Sequence, residues 1–136
     1  RKAITSNLRM KKDLSNREDV ELLVDTFYDK VKANATIGFI FNDIAKVDWK
    51  NHLPRMYSFW ASILLGEHSF SGNPMDKHIQ LSKIAPMTDI EFSEWLNIFA
   101  QTTDELFEGE KAEEAKKRAT NIARLMLHKI NTNHPN

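Results

Sequence analysis

Histidine is the residue type in this chain best suited to chemistry, because the 136-residue sequence contains five histidines and no cysteine. The lack of cysteine excludes disulfide frameworks, thiolate zinc sites, iron–sulfur clusters and cysteine nucleophiles. His128 and His134 lie near the C-terminus and His68 lies in a polar loop, so we expect all three at the surface. His52 and His78 are the remaining candidates, because both stand among apolar residues.

His52 and His78 each have a structural and a functional explanation. His52 precedes Met56 by four residues and Phe59 by seven, which places its imidazole on the apolar stripe of a helix. A buried imidazole needs a hydrogen-bond partner or a metal. Judged alone, each histidine is more simply a structural residue than a ligand. A helical zinc site is excluded, since no two histidines stand four residues apart and no H-E-x-x-H motif occurs.

Three large aromatic residues with polar groups accompany these histidines. Tyr28, Trp60 and Trp95 fall on or beside the inner stripes of three different predicted helices. Their buried O–H and N–H groups need acceptors. Either backbone carbonyls accept these bonds, or the side chains converge with His52 on a polar spot inside an apolar cavity. The second arrangement is what a haem pocket requires.

Long helices must position these residues. A capping-box spacing at Ser15 and Glu18 predicts the start of the first helix. A second helix is predicted from Asp48 to Gly66, with an irregular turn or bend at Pro54. The pattern then predicts a short helix over about 73–86, a helix over 88–108 with a capping box at its start, and a last helix over 110–130.

The fold class predicted from these elements is all-α, with four long helices and one short one. No strand-like alternation competes with them, and the segment 39–41 is too short to form a helix alone. The length favours one domain, which we place at residues 15–131. Residues 1–14 are predicted to form a polar basic tail or a short helix, and residues 132–136 a C-terminal tail.

Charge and hydropathy limit the classes of binding partner that we expect. The 19 basic residues balance the 19 acidic residues, which removes a long-range attraction to nucleic acid or to anionic membranes. No apolar run approaches the ~20 residues that span a bilayer. The first residues lack the apolar core of a signal peptide. We therefore expect no nucleic-acid partner, no membrane association and a cytoplasmic location.

Seven strings, read in order, resemble the truncated haemoglobins, specifically their third, or P, group. Together they cover about residues 15–130. The strings are L-V-D-T-F-Y-D-K-V at 23–31, I-G-F-I-F-N-D at 37–43, D-W-K-N-H-L-P-R-M at 48–56, F-W-A-S-I-L-L-G at 59–66, G-N-P-M-D-K-H at 72–78, F-S-E-W-L-N-I-F at 92–99 and the weaker D-E-L-F-E-G at 104–109. One departure is Phe39, which stands where the family often has proline.

The resemblance implies a shortened globin fold, two helices packed over two, that encloses one haem b. It assigns the proximal iron ligand to His78, within the P-M-D-K-H string. It assigns the distal, ligand-facing positions to Tyr28, His52 and Trp95. Phe41 matches the globin phenylalanine that packs on the haem.

Three further residues are expected around the haem. Met56 and Phe59 follow His52 on the same helical stripe and should line the distal cavity. Arg55 is either a partner of the haem propionates or an ordinary surface arginine.

Three functions fit these expectations. The first is a haem protein that binds O2, NO and CO at an open iron position, with a polar pocket suited to slow O2 release. The second is an enzyme, an NO dioxygenase or a peroxidase-like protein, which would need an external reductase because the chain has no flavin or nicotinamide motif. The third is a helical interaction module without a cofactor.

Overall fold

The computed structural model describes residues 11–70, 72, 81–83, 85 and 87–133. Its elements are α1 (Arg17–Ala33), a π-helical turn (Ile40–Ile44), α2 (Trp49–Leu65), α3 (Asp89–Leu106) and α4 (Glu110–Asn133). These ranges contain no β-strand, in agreement with the predicted all-α class. The start of the predicted short helix, with Asn73, Pro74 and His78, lies outside the described residues.

The start of α1 differs by one residue from the prediction. Asn16 is the N-cap, and its side chain accepts a hydrogen bond from the Asp19 backbone N–H at 2.9 Å. The predicted capping box of Ser15 and Glu18 is therefore wrong. Both Ser15 and Asn16 are good cap formers, but Ser15 instead donates its backbone N–H to the Asp19 carboxylate at 2.9 Å.

The predicted starts of the other three described helices agree with the structure, and so does the predicted end of α2. Thr88 and Glu91 form the predicted capping box of α3. Asp48 is the N-cap residue of α2, and Gly66 ends that helix in the left-handed conformation with φ 76°. The α2 helix continues through Pro54, which lies in its first half.

The four helices pack as two pairs, with one pair lying over the other. Helix α1 packs against α2 and α3, α3 packs against α4, and α2 has a smaller contact with α4. Small residues let α4 approach closely, since Ala112, Ala115 and Ala119 are almost completely buried. No helix in the described ranges is long and apolar enough to cross a bilayer.

The segment between α1 and α2 is helical, although its apolar run alone is too short to predict a helix. The Ala45 backbone N–H donates to the Ile40 carbonyl at 2.7 Å, which closes the π-helical turn. A Cβ atom on Gly38 would lie only 2.8 Å from the Lys32 carbonyl oxygen, so glycine permits the chain to turn tightly at the end of α1. This close approach brings Phe41 beside Tyr28, with ring centroids 6.1 Å apart.

The segment before α1 is attached to the start of α4. The Asp13 carboxylate accepts hydrogen bonds from the backbone N–H groups of Lys111 and Ala112, both at 2.9 Å, and so caps α4. Partial burial acts to raise the pKa of Asp13. These two hydrogen bonds and a third from the Leu14 N–H outweigh that effect and hold the pKa below its ordinary value. Leu14 itself belongs to the core. The domain boundary at residue 14 stays a prediction, because residues 1–10 lie outside the described part.

Candidate functional site

A largely apolar cavity lies between the helices. Its empty volume is about 870 Å³, counting space that is open to solvent. The described lining residues are Tyr28, Ile37, Ile40, Phe41, His52, Phe59, Trp60, Leu81, Met87, Glu91, Phe92, Trp95, Ile122, Ala123 and Met126.

Tyr28 supplies a hydroxyl group to this cavity from α1. The residue is 7% exposed, and its ring lies edge-on to Phe27 at 4.8 Å and to His52 at 5.3 Å. Within the described part of the chain, its hydroxyl makes no hydrogen bond. Burial raises the pKa of Tyr28 well above its ordinary value. The phenol therefore stays protonated at neutral pH and can act as a donor.

Trp95 supplies an indole to the cavity from α3. Its ring stacks on Phe99 at 5.9 Å with 13° between the planes, and Trp60 stacks on the same Phe99 at 4.9 Å with 22°. Phe99 is 1% exposed, so its ring fixes the orientation of both indoles. The Trp95 N–H has no acceptor among the residues that the structure describes, which leaves a second donor at the cavity.

His52 lies beside Tyr28, on the first turn of α2. Its backbone N–H donates to the Asp48 carbonyl at 2.8 Å, which fixes the start of the helix. The imidazole is held edge-on between the rings of Tyr28 at 5.3 Å and Trp49 at 5.6 Å. Its Nε2 atom is shielded from solvent. The structure thus brings Tyr28, His52 and Trp95 to one cavity, as the sequence predicts, while their roles toward a ligand stay predictions.

The other predicted site residues divide into four groups. Phe41 and Phe59 line the cavity. Met56 packs on the core and is absent from the described lining. Arg55 faces a neighbouring groove, where its guanidinium lies 5.8 Å from the ring centroid of Phe70. His78 forms the fourth group, because it lies outside the described residues.

Sequence reasoning missed the lining residues from the start of α3 and the end of α4. Glu91 is the most polar of them, and its Oε1 accepts hydrogen bonds from the Thr88 N–H at 2.8 Å and the Thr88 hydroxyl at 2.6 Å. Burial acts to raise the pKa of Glu91, but these hydrogen bonds outweigh that effect and hold the pKa below its ordinary value. Phe92 of α3 and Met126 of α4 also line the cavity. Periodicity alone does not distinguish a core face that packs tightly from one that borders a cavity.

The described residues do not form a direct metal site. Within ranges 11–70 and 87–133 and the few described residues between them, no three His, Cys, Asp or Glu side chains stand close enough to hold a metal ion. The cavity instead offers aromatic and aliphatic walls with a few polar groups. Such a site suits a mostly apolar molecule that also makes a few polar contacts.

Comparison with known proteins agrees with this arrangement. The sequence profile of the Bacterial-like globin family matches residues 13–130. The chain is 32% identical to Group 3 truncated hemoglobin ctb of Campylobacter jejuni over 117 residues, which are 84% of this chain and 90% of that protein. It is 31% identical to Group 1 truncated hemoglobin LI410 of Chlamydomonas moewusii over 93 residues, 68% of this chain and 52% of that protein.

One solved structure has the same fold. The crystal structure of group III truncated hemoglobin from Campylobacter jejuni superposes with a TM-score of 0.77 at 32% identity, and the match covers 89% of this chain and 95% of that one. The superposition confirms the predicted two-over-two arrangement of helices.

Proposed function

Because the chain belongs to the bacterial-like truncated globins, we propose that it binds haem b in the cavity and uses it to capture diatomic gases such as O2, NO and CO. The observation that carries this proposal is the largely apolar cavity between the helices, which is bordered by two donors, Tyr28 and Trp95, that have no acceptor among the described residues. Donors that border the cavity and have no acceptor among the described residues are available to a ligand.

The residues present fit a haem group. A porphyrin needs apolar walls and aromatic contacts, and Phe41, Phe59 and Phe92 supply these around the cavity. The resemblance assigns the axial ligand to His78, and we propose that its imidazole holds the iron. Arg55 makes no ion pair with any described residue, and the ring of Phe70 joins it to the cavity wall at Phe59 through a 5.2 Å contact. We propose Arg55 as a partner of the propionates at the rim.

The chemistry divides between the cofactor and the chain. A haem held in this cavity would supply an iron that coordinates small gases. The chain supplies hydrogen bonds to the ligand, because the Tyr28 hydroxyl and the Trp95 N–H are neutral donors in a poorly solvated space. A hydrogen bond to a ligand that carries charge is worth about 1.5–3 kcal/mol. Each donor would therefore slow the release of a polar ligand about ten- to a hundredfold.

Haem uptake tests the proposal. The purified protein should bind one equivalent of haem and develop a Soret band. His78→Ala should lose most of this uptake, whereas the matched variants His68→Ala, in an exposed loop, and His52→Ala should keep it. Circular dichroism of each variant shows whether it is folded. A folded wild-type protein that stays colourless with excess haem would refute the proposal and favour a helical module without a cofactor.

The donor set also favours a second candidate function at the same cavity. Two donors and His52 around one ligand favour retention, which suits NO dioxygenation or peroxide chemistry better than rapid O2 delivery. Both reactions need electrons from outside the chain, from a reductase for NO dioxygenation and from an electron-donor substrate for peroxide chemistry. The test is consumption of NO or peroxide by the haem-loaded protein with a reductant. Turnover no faster than that of free haem, in wild type and in Tyr28→Phe alike, would exclude this enzymatic role.

A further inference from the structure

Trp49 packs on the outer side of the polar part of the cavity. It is the first residue of α2, and in the described part of the chain it does not line the cavity. Its indole contacts three side chains that do, with ring centroids 5.3 Å from Tyr28, 5.6 Å from His52 and 6.2 Å from Phe41. One partly buried ring therefore supports the residues that face the ligand space.

Lys32 covers this indole from the solvent side. Its ammonium lies 5.0 Å from the centroid of the Trp49 ring, a cation–π contact between the last turn of α1 and the first turn of α2. The Asp29 carboxylate is 3.5 Å from the same ammonium and helps to orient it. The Asn42 side-chain N–H donates to the Lys32 carbonyl at 3.0 Å, which attaches the π-helical turn to this point.

The position of Trp49 restricts the movement of His52. The imidazole stands nearly perpendicular to both neighbouring rings, at 79° to Tyr28 and 80° to Trp49. Tyr28 is buried and lines the cavity, whereas Trp49 is partly exposed and is not among the described lining residues. For the imidazole to rotate out toward solvent, it must break its contact with Trp49 or displace that ring. Displacing the ring also breaks the contact with Lys32.

We propose that Lys32 and Trp49 form a latch that keeps His52 turned into the cavity. Both are positioning residues, since neither touches the ligand space directly. Opening of the latch exposes the imidazole and widens the path from solvent to the cavity. The effect on ligand access rests on the proposed function, whereas the effect on the exposure of His52 does not.

Modification of His52 tests the latch with or without haem. Diethyl pyrocarbonate acylates neutral imidazoles, and peptide mass spectrometry gives the rate at each histidine. Lys32→Met should speed the reaction of His52 about two- to fivefold, the factor that a partly exposed cation–π contact provides. Trp49→Leu should speed it about tenfold or more, because it removes the ring contact with His52 and the cation–π contact with Lys32, each worth several-fold.

Conservative and matched variants separate a latch from a general loss of structure. Lys32→Arg and Trp49→Phe keep a cation and a ring, so both should remain close to the wild-type rate. Lys30→Met removes another charge from the last turn of α1, where Lys30 pairs with Glu105 instead, and should leave His52 unchanged. The exposed His68 and His128 serve as internal controls, whose rates should be the same in every variant.

Three results would overturn parts of the proposal. Equal rates at His52 in wild type, Lys32→Met and Trp49→Leu would refute the latch. A parallel increase at all described histidines would show general loosening and would also refute it. In haem-loaded protein, Lys32→Met should raise the CO association rate by a similar factor; an unchanged rate with faster modification of His52 would refute the link to ligand access. Failure of haem uptake would leave the modification result valid.

Discussion

Tyr28→Phe should separate ligand binding from folding, because it removes one hydroxyl and keeps the ring. The ring contacts with Phe27, Trp49 and His52, at 4.8, 5.3 and 5.3 Å, all persist in phenylalanine. The hydroxyl borders the cavity and has no partner among the described residues, so its removal breaks no hydrogen bond within the described part of the chain. The haem-free variant should therefore be as stable as wild type or more stable, by up to about 1 kcal/mol. Release of O2 should become about ten- to a hundredfold faster.

The assay combines stopped-flow release of O2 into excess CO with urea unfolding of the haem-free protein. Tyr57→Phe is the matched control, because the Tyr57 hydroxyl donates to the Asp25 carboxylate away from the cavity. It should lose roughly 1–3 kcal/mol of unfolding free energy and leave O2 release unchanged. If Tyr28→Phe instead destabilises the haem-free protein as much as Tyr57→Phe and releases O2 at the wild-type rate, the reasoning about Tyr28 is wrong.

Three further predictions concern the rest of the structure. Burial raises the pKa of Tyr28. Burial and the hydrogen bond to Asp25 raise the pKa of Tyr57 to about 12. Because these are the two tyrosines of the chain, spectrophotometric titration of the native protein should find little tyrosinate at a pH equal to the ordinary tyrosine pKa of 10.0. The two protonated phenols contribute their whole stabilisation below that pH. The contribution is lost as the pH rises through their raised pKa values, and the unfolding free energy measured at alkaline pH should decrease accordingly. Asp13→Ala should lower the free energy of urea unfolding by about 1–2 kcal/mol. This difference from wild type should vanish at acid pH, as the pH falls through the Asp13 pKa, which lies below the ordinary 3.8. Phe99→Ala should cost about 3–5 kcal/mol and alter tryptophan fluorescence, whereas Phe39→Ala, at a side chain 40% exposed, should change stability by less than about 0.5 kcal/mol.

The helices could be predicted from the sequence because their signals are local. The stripe of Val20, Val24, Phe27 and Val31 faces inward as its 3.6-residue period predicts. The choice between Ser15 and Asn16 as the cap could not be predicted, since adjacent residues of similar propensity are separated only by the contacts of Asp19. The π-helical turn at Ile40–Ile44 depends on the close approach of Gly38 to α1, which is a tertiary contact.

The candidate site was predictable where a motif marks it and not where packing alone defines it. The strings of the family resemblance gave Tyr28, His52 and Trp95, and the structure places all three at one cavity. Glu91 carries no motif of its own beyond the capping box that it forms with Thr88. The contact of Trp49 with Lys32 joins two helices, so no spacing within either helix indicates it.

The carboxylate of Asp13 also determines how the domain can open. It bonds backbone amides 98 and 99 positions further along the chain, so nearly the whole domain is a loop closed at this side chain. Closing so long a loop is entropically costly, and we expect this contact to form late in folding. In hydrogen exchange, the amides of residues 111 and 112 should therefore open together with the segment before α1 as one unit. Force applied to that segment would be transmitted first to α4, the helix that contributes Ile122 and Met126 to the cavity wall.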